Sequence, residues 1–159
     1  MPLSVNLREF IPAAADGPFA ALLDLAPWEI TATAKAIVTR AIAGLSGYDI
    51  ADGIVGPACE LKSVFMLKGS KVAHLSFVGD SIIGAGANIE AGAMIANYRN
   101  ERADKRIRIK TGAGVIDTGV DKFGALVGDE ARIGANAVIA PGALIAAGAV
   151  VPRLALVDQ

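Results

Sequence analysis

Residues 127–152 read VGDEARIGANAVIAPGALIAAGAVVP. A large aliphatic residue recurs at every sixth position of this stretch, at Val127, Ile133, Ile139, Ile145 and Val151. Small residues follow the same spacing, mostly Gly or Ala one position after each aliphatic and Ala four positions after it. An α-helix requires a period near 3.6 and a long strand a period of 2, so neither fits. The six-residue period favours short strands joined by tight corners, with each aliphatic pointing into a narrow interior.

The same period recurs in two earlier runs of the chain. Their repeating positions are Ile83, Ile89 and Ile95 in one run, and Val55, Leu61, Leu67 and Ala73 in a weaker one. The period slips between these runs, so it does not place Phe77 and Val78. Coils of parallel strands bond along their common axis, so each coil needs neighbours. The sequence therefore predicts an all-β fold, a parallel β-helix built from hexapeptide repeats.

Residues 1–50 lack the repeat and are predicted to form a separate helical segment. Asp16 and Pro18 are expected to open a short helix that runs through Leu25, and Pro27 a second one. One face of the second helix is apolar and consists of Ile30, Ala34, Ile37, Ala41, Ile42 and Leu45. We expect this segment to cap one end of the β-helix.

The predicted β-helix domain spans residues 51–153 and is followed by a tail, 154–159. Residues 99–121 interrupt the repeat with dense charge. Within them, residues 106–109 read RIRI, residues 111–114 read TGAG and residues 115–116 read VI. Alternating residues around a Gly-rich turn predict a protruding hairpin.

Composition narrows the class of protein. Lys and Arg total 15 against 16 Asp and Glu, a net charge of −1, so the chain has no field suited to nucleic acid. Cys59 is the single cysteine, which fits a reducing compartment, and a cytoplasmic location is expected. Residues 133–152 carry no charge and are long enough to span a bilayer. Because they keep the six-residue period, we interpret them as soluble repeat and expect no membrane partner.

Three motifs carry a resemblance to a known family. Residues 69–80 read GSKVAHLSFVGD, residues 95–98 read IANY and residues 122–129 read KFGALVGD. With these motifs, residues 60–153 resemble the acetyltransferase half of bifunctional sugar-1-phosphate nucleotidylyltransferase/acetyltransferases. The archaeal-type branch is the most similar, and the bacterial glucosamine-1-phosphate acetyltransferases come next. The resemblance implies a left-handed parallel β-helix, a homotrimer with sites between subunits, and acetyl-CoA as co-substrate.

The chain also departs from that family. Nothing in it resembles the Gly-rich nucleotide loop of the nucleotidylyltransferase half. Phe77 stands where the family often has Tyr, so one hydroxyl contact to the sugar phosphate is lost. The arginine that precedes the sugar-site lysine in the bacterial enzymes has no counterpart, and the C-terminal extension that helps to hold CoA is reduced to 154–159.

Acetyl transfer to an amine requires a base, a correctly placed acyl donor and hydrogen-bond donors for the oxyanion. His74 is the only histidine, and an unperturbed imidazole, with a pKa of about 6.5, accepts a proton at neutral pH. It follows Ala73, which the period places toward the interior, so its side chain should project from the coil surface. The resemblance makes His74 the general base; the alternative is an ordinary surface histidine.

The remaining candidate residues are carried over from the resemblance. The predicted substrate-binding residues are Lys62, Phe77, Asn88 and Lys122. The predicted cofactor-binding residues are Ala91, Asn97, Tyr98, Ala135 and Ala147, with the Ala91 backbone N–H directed at the acetyl carbonyl. The asparagines could instead be corner residues that tolerate a left-handed φ, the lysines solvated charges and Tyr98 a packing residue. Five basic side chains of the 99–121 loop are a further candidate for binding ligand phosphates, although a solvated loop is the commoner structure; they are Arg99, Arg102, Lys105, Arg106 and Arg108.

Other chemistry is excluded by residue type. A single histidine cannot build the three-histidine zinc site of the related γ-type carbonic anhydrases, and no metal is expected. No nucleophilic Ser or Cys with a partnered base is evident, which favours direct transfer. The sequence thus predicts an N-acetyltransferase that uses acetyl-CoA and an amino-sugar phosphate such as glucosamine-1-phosphate. The alternatives are a nucleotide-linked amino sugar as acceptor, or a non-catalytic module that trimerises or binds a separate nucleotidylyltransferase.

Overall fold

The computed structural model describes residues 5–16, 19–33, 36–37 and 53–158. Residues 53–158 form a parallel β-solenoid whose short strands lie in three sheets, here called faces A, B and C. Face A contains Ile54–Val55 (β1), Lys71–Val72 (β4), Asn88–Ile89 (β7), Arg132–Ile133 (β12) and Val150–Val151 (β15). Face B contains Glu60–Lys62 (β2), Phe77–Gly79 (β5), Met94–Ile95 (β8), Val138–Ile139 (β13) and Leu156–Val157 (β16). Face C contains Phe65–Met66 (β3), Ile82–Ile83 (β6), Ala125–Val127 (β11) and Ala143–Ile145 (β14).

The first four coils of the solenoid pass through faces A, B and C in turn and begin with β1, β4, β7 and β12; the strands of the fifth coil, β15 and β16, lie on faces A and B. All strand pairs between coils are parallel, so the predicted all-β, parallel fold is confirmed. Its left-handed sense stays a prediction from the resemblance. Three corners join the faces. Corner AB comprises 57–58, 74–75, 91–92, 135–136 and 153–154; corner BC comprises 62–63, 79–80, 96–97 and 140–142; corner CA comprises 68–69, 85–86, 129–130 and 147–148.

The interior of the solenoid is a narrow aliphatic stack. The five residues of the C-terminal period belong to it, as do Ile83, Ile89 and Ile95, all with at most 7% of their surface exposed. Small residues fill the space between these side chains and are fully buried; they include Ala87, Ala93, Ala131, Ala137 and Ala143. The six-residue period therefore predicts the interior of this part of the chain correctly.

Two of the interior positions predicted for the first two coils are wrong by one residue. Met66 and Val72 belong to the interior stack, where the period placed Leu67 and Ala73. The reason lies in corner BC, where Ser63 adopts φ 54° only two positions after the interior-facing Leu61. Because the chain turns one residue earlier than at a six-residue corner, the step to the next interior position is five residues.

The same five-residue step settles the pair that the period could not place. Val78 is fully buried in the interior, whereas Phe77 points outward from face B and is half-buried. Asp80, with φ 42°, turns corner BC of the second coil in the same way as Ser63 turns that of the first.

The described residues of the N-terminal segment include two short α-helices and two 3-10 helices. They are Leu7–Phe10 (α1), the 3-10 helices Pro12–Asp16 and Ala20–Leu22, and Pro27–Ala32 (α2). The predicted start of the second helix at Pro27 is confirmed, and the Glu29 side chain caps it by accepting from the Ala26 N–H at 2.8 Å. The helix predicted to run through Leu25 is wrong over its described residues 19–25, where a single turn of 3-10 helix forms, closed by bonds such as Leu22 N–H to Phe19 O at 2.9 Å.

The described N-terminal residues lie against the side of the solenoid. The outward side chains of face C are apolar, and a second core forms where the N-terminal segment covers them. Phe19 meets Phe65 edge to face at 5.5 Å between ring centroids, and Trp28 meets Phe123 at 5.9 Å. An apolar outer sheet face must be buried, which accounts for this lateral packing where an end cap was predicted. Ala34, Ala41, Ile42, Leu45 and the rest of 38–52 lie outside the described residues, and for them capping stays a prediction.

The loop between the third coil's faces B and C forms the predicted hairpin. Arg108–Thr111 (β9) and Gly114–Asp117 (β10) pair antiparallel. Its inner side is not free, because Ile107, Ile109 and Ile116 are buried in the second core. The hairpin therefore lies along the solenoid beside the N-terminal segment, with its outer side exposed.

The uncharged run 133–152 supplies strands β12 to β15 of the solenoid. No helix within the described ranges is long and apolar enough to cross a membrane.

Candidate functional site

Three of the predicted site residues hold equivalent positions in successive coils at corner AB. His74, Ala91 and Ala135 each accept, through the backbone oxygen, a hydrogen bond from the N–H of the left-handed residue one coil later. These bonds measure 2.9, 3.0 and 3.0 Å and come from Gly92, Asn136 and Leu154. Stacked strands are about 4.8 Å apart, so the three residues follow one another along a single edge of the solenoid.

The His74 side chain projects from this edge into solvent. Its imidazole is exposed and contacts no hydrogen-bond partner within the part of the chain that the structure describes. The prediction that Ala73 faces the interior is wrong by one position, because Val72 does so instead. His74 follows Val72 by two residues and lies at the corner itself.

The backbone N–H groups of this edge differ from coil to coil. The Ala135 N–H donates to Glu90 Oε2 at 3.0 Å. The Ala91 N–H is the equivalent donor one coil earlier, and it has no acceptor among the described residues, because the residue in the place of Glu90 is Ala73. A carbonyl oxygen of a ligand can therefore bind the Ala91 N–H on the coil next to His74.

Glu90 and Arg153 are a feature of this edge that the sequence prediction missed. Arg153 donates from Nε to Glu90 Oε2 at 3.0 Å and from Nη2 to Oε1 at 3.2 Å. The hydrogen bond from Arg153, with that from the Ala135 N–H, lowers the pKa of the Glu90 carboxyl, and the carboxylate in turn raises the pKa of Arg153. A large acidic residue where the other coils carry Gly, Ala or Pro was the available signal for Glu90.

Asn88 lies on face A, next to this edge. It is half-buried and pairs in register with Lys71 on one side and Arg132 on the other. A shallow cleft of about 240 Å³ runs from Asn88 past Arg132 to the Glu90–Arg153 pair. The cleft thus connects one predicted substrate-binding residue with the edge that carries His74.

A second group of predicted residues gathers at corner BC. Lys62 and Lys122 are both exposed there, and the Lys62 oxygen accepts from the Asp80 N–H at 2.7 Å. The Asn97 side chain lies over Gly79 and donates from Nδ2 to the Asp80 carboxylate. Tyr98 is 37% exposed, and Lys105 Nζ lies 5.4 Å from the centre of its ring.

A single chain does not bring these two groups together. Corner AB and corner BC lie at opposite ends of the face B strands, with the outward-pointing Phe77 between them. Ala147 is exposed at corner CA, on the far side of face A. Within one chain, therefore, His74 is separated by a whole strand from Asn97, Tyr98 and both lysines.

The basic side chains of the 99–121 loop are held by the chain itself, which argues against the phosphate-binding cluster. Arg99 is 3% exposed; it bonds Asp158 at 2.7 Å and donates to the Pro141 oxygen at 3.0 Å. The others face carboxylates or backbone oxygens of the same loop: Arg102 with Glu101, Arg106 with Asp117 and Asp121, Arg108 with Asp104 and Asp117, and Lys105 with the Asn100 oxygen. Alternating charge within one hairpin leaves little net field for a phosphate.

Known proteins match the chain over part of its length. A bifunctional sugar-1-phosphate nucleotidylyltransferase/acetyltransferase of Sulfurisphaera tokodaii is 39% identical over 80 residues, which is 50% of this chain and 20% of that protein. The bifunctional protein GlmU of Methanococcus vannielii is 39% identical over 83 residues, 52% of this chain and 19% of that protein. The GlmU of Rhizobium rhizogenes is 55% identical over 53 residues, 33% of this chain and 12% of that protein. No family model matches the chain.

The matched segment therefore spans about a fifth or less of these relatives. Over that part, homology to bifunctional nucleotidylyltransferase/acetyltransferases confirms the resemblance noted in the sequence.

Proposed function

We propose that this chain transfers an acetyl group from acetyl-CoA to the amine of an amino-sugar phosphate such as glucosamine-1-phosphate, with His74 as general base. The names of its relatives support the acetyltransferase class. The observation that carries the proposal is the exposed imidazole of His74 beside the unpaired N–H of Ala91, in the part of the chain that the structure describes. A base and an oxyanion donor on adjacent coils are the two groups that this reaction requires of the protein.

The reaction is a direct transfer. The amine nitrogen of the acceptor attacks the carbonyl carbon of the thioester, and His74 accepts the proton that this nitrogen loses. The oxygen of the tetrahedral intermediate accepts a hydrogen bond from the Ala91 N–H. When the carbon–sulfur bond breaks, the thiolate of CoA takes the proton from the His74 imidazolium. General-base catalysis contributes about 10²- to 10⁴-fold and one oxyanion donor about 10²- to 10³-fold.

We infer that a second copy of the chain completes the site. The two groups of candidate residues lie at opposite ends of face B, so two copies that meet along this face can juxtapose corner AB of one with corner BC of the other. The outward side chains of face B support such a contact because most are apolar and exposed: Met94 by 42%, Val138 by 42% and Leu156 by 69%. A head-to-tail contact of this kind closes into a ring, such as the homotrimer that the resemblance implies.

The acceptor end of the site belongs to corner BC and face B in this proposal. Lys62 and Lys122 are exposed cations suited to a phosphate group. Phe77 offers packing surface without a hydroxyl, which removes one means of selecting a sugar phosphate. A nucleotide-linked amino sugar therefore stays the alternative acceptor.

The test is release of free thiol from acetyl-CoA in the presence of glucosamine-1-phosphate, glucosamine and a nucleotide-linked glucosamine. We expect turnover with glucosamine-1-phosphate, and a fall of about 100-fold or more in kcat for His74→Ala. Lys68→Ala is the matched control, because Lys68 is an exposed corner residue assigned to no site. Both variants should melt like the wild type, since neither side chain is buried.

Two results would contradict this function. One is the absence of turnover with every acceptor, and the other is equal turnover in His74→Ala and the wild type. The first would favour a non-catalytic solenoid that binds a separate nucleotidylyltransferase, and the second would show that His74 is not the base. A pull-down with the intact chain would then be the measurement of choice.

A further inference from the structure

Asp80 is a buried carboxylate at corner BC that the proposed reaction leaves without a role. Only 8% of its surface is exposed. Its backbone is fixed from both neighbouring coils, because its N–H donates to Lys62 O at 2.7 Å and its oxygen accepts from Gly124 N–H at 2.8 Å. Its φ of 42° is left-handed, a conformation that Asp and Asn tolerate better than other side chains. The carboxylate is therefore held in one place.

The side chain of Asn97 rests on this carboxylate. Asn97 Nδ2 donates to Asp80 Oδ2. The carboxamide lies across Gly79, where an added Cβ would come within 2.7 Å of Asn97 Cγ. The absence of a side chain at Gly79 is thus what lets Asn97 reach back to Asp80.

The chemistry of the pair fixes the orientation of the amide. An ionised carboxylate can only accept hydrogen bonds, so Asp80 must face the NH₂ group of Asn97 and not its oxygen. Asn97 Oδ1 is then directed away from Asp80. No donor from the described residues binds it.

We propose that Asp80 is a positioning residue that orients the Asn97 carboxamide so that its oxygen accepts a hydrogen bond from an N–H group of acyl-CoA. This rests on the proposed function. The pantetheine arm of CoA carries two amide N–H groups, one of them close to the thiol, and these are the donors that an outward-facing amide oxygen would select. If Asp80 did not hold the NH₂ group, the Asn97 carboxamide could rotate by half a turn. Its NH₂ group would then face the N–H of CoA, and neither group could accept a hydrogen bond from the other.

The pair offers a swap that separates orientation from packing. Asp80→Asn keeps the shape and the left-handed backbone but no longer forces the orientation of Asn97. Asn97→Asp alone places two carboxylates against each other. In the double variant the amide introduced at position 80 donates to the carboxylate introduced at position 97, whose second oxygen still faces outward as an acceptor.

The experiment measures the Kd of CoA for the full chain by titration calorimetry, which does not depend on turnover. We expect about three- to tenfold weaker binding for Asp80→Asn, as for loss of one hydrogen bond, and weaker binding still for Asn97→Asp. The double variant should return to within about twofold of the wild type. Asp117→Asn is the control, since the same chemical change in the hairpin alters a carboxylate that pairs with Arg106 and the Gly119 N–H rather than with Asn97, and its Kd should match the wild type.

The outcomes distinguish this inference from the function on which it rests. If the wild type does not bind CoA, the proposed function fails and the role of Asp80 fails with it. If the wild type binds CoA and Asp80→Asn binds it equally well, only the positioning role is overturned. A raised KM for the amino-sugar acceptor with an unchanged Kd for CoA would also overturn it, since the donor would then belong to the acceptor.

Discussion

Glu90 shows how a single side chain can set the properties of the edge that carries His74. It accepts one hydrogen bond from the Ala135 N–H and two from Arg153. The first of these bonds occupies the Ala135 N–H. The equivalent N–H on the preceding coil, that of Ala91, has no acceptor among the described residues. The contrast between the two coils depends on one residue type, Glu at position 90 and Ala at position 73.

The lowered pKa of Glu90 predicts a specific dependence of stability on pH. In the unfolded chain its pKa returns to about 4.3, so the folded state binds fewer protons near that pH. The stabilisation by Glu90 is therefore complete above the unfolded pKa and is lost as the pH falls through the lower, folded value. The wild type should melt at a higher temperature than Glu90→Gln near pH 7, and the difference should shrink between about pH 5 and pH 3. A difference that stays constant or grows on acidification would contradict this assignment.

The residues of the site differ in how visible they are from the sequence. His74 can be found because it is the single histidine and lies in a specific motif. Glu90, Arg153 and Asp80 were missed because each acts through a residue on another coil, at separations of 63 positions for Glu90 with Arg153 and 17 for Asp80 with Asn97. Such pairs require the register between coils, which a one-dimensional period does not supply.

At the scale of the strand and corner, the six-residue period predicts the interior positions correctly only where each corner gives a six-residue step. At corner BC of the fourth coil, Gly142 takes the left-handed conformation three positions after the interior-facing Ile139, which gives a six-residue step. Ser63 and Asp80 turn one position earlier and give a five-residue step. Since Ser and Asp are less obvious turn residues than Gly, the sequence does not reveal the shortened corner, and two interior positions of the first two coils were misassigned by one residue, to Leu67 and Ala73.

This difference in register predicts a large loss of stability for one of two adjacent substitutions and a small change for the other. Val72 is fully buried in the interior stack, so Val72→Ser should lower the free energy of unfolding by about 2–4 kcal/mol, through lost burial and an unsatisfied hydroxyl. Ala73→Ser should change it by no more than about 0.5 kcal/mol, because Ala73 lies outside the stack. Urea denaturation of both variants measures the two values. A larger loss for Ala73→Ser would restore the register that the six-residue period predicts.

At the scale of the whole molecule, the three faces of the solenoid differ in what covers their outer side chains and in the polarity of those side chains. Face C is covered by the N-terminal segment and the hairpin, which bury its outer aliphatic side chains. Face A carries Lys71, Asn88 and Arg132 on its outer side. Face B presents exposed apolar side chains, and the candidate residues lie along both of its ends. In the proposed shared site, face B is therefore the surface that contacts a second copy of the chain.

Complementation between two inactive variants tests this shared site most directly. His74→Ala and Asn97→Ala, carrying different tags, are co-expressed, purified through both tags and assayed for thiol release with acetyl-CoA and glucosamine-1-phosphate. If His74 of one copy and Asn97 of the next form each site, a homotrimer that carries both tags has one intact site in three, and about a third of wild-type activity should return. Activity of the mixed assembly no higher than that of the separate variants would show that both residues act within one chain or not at all, and would contradict the account.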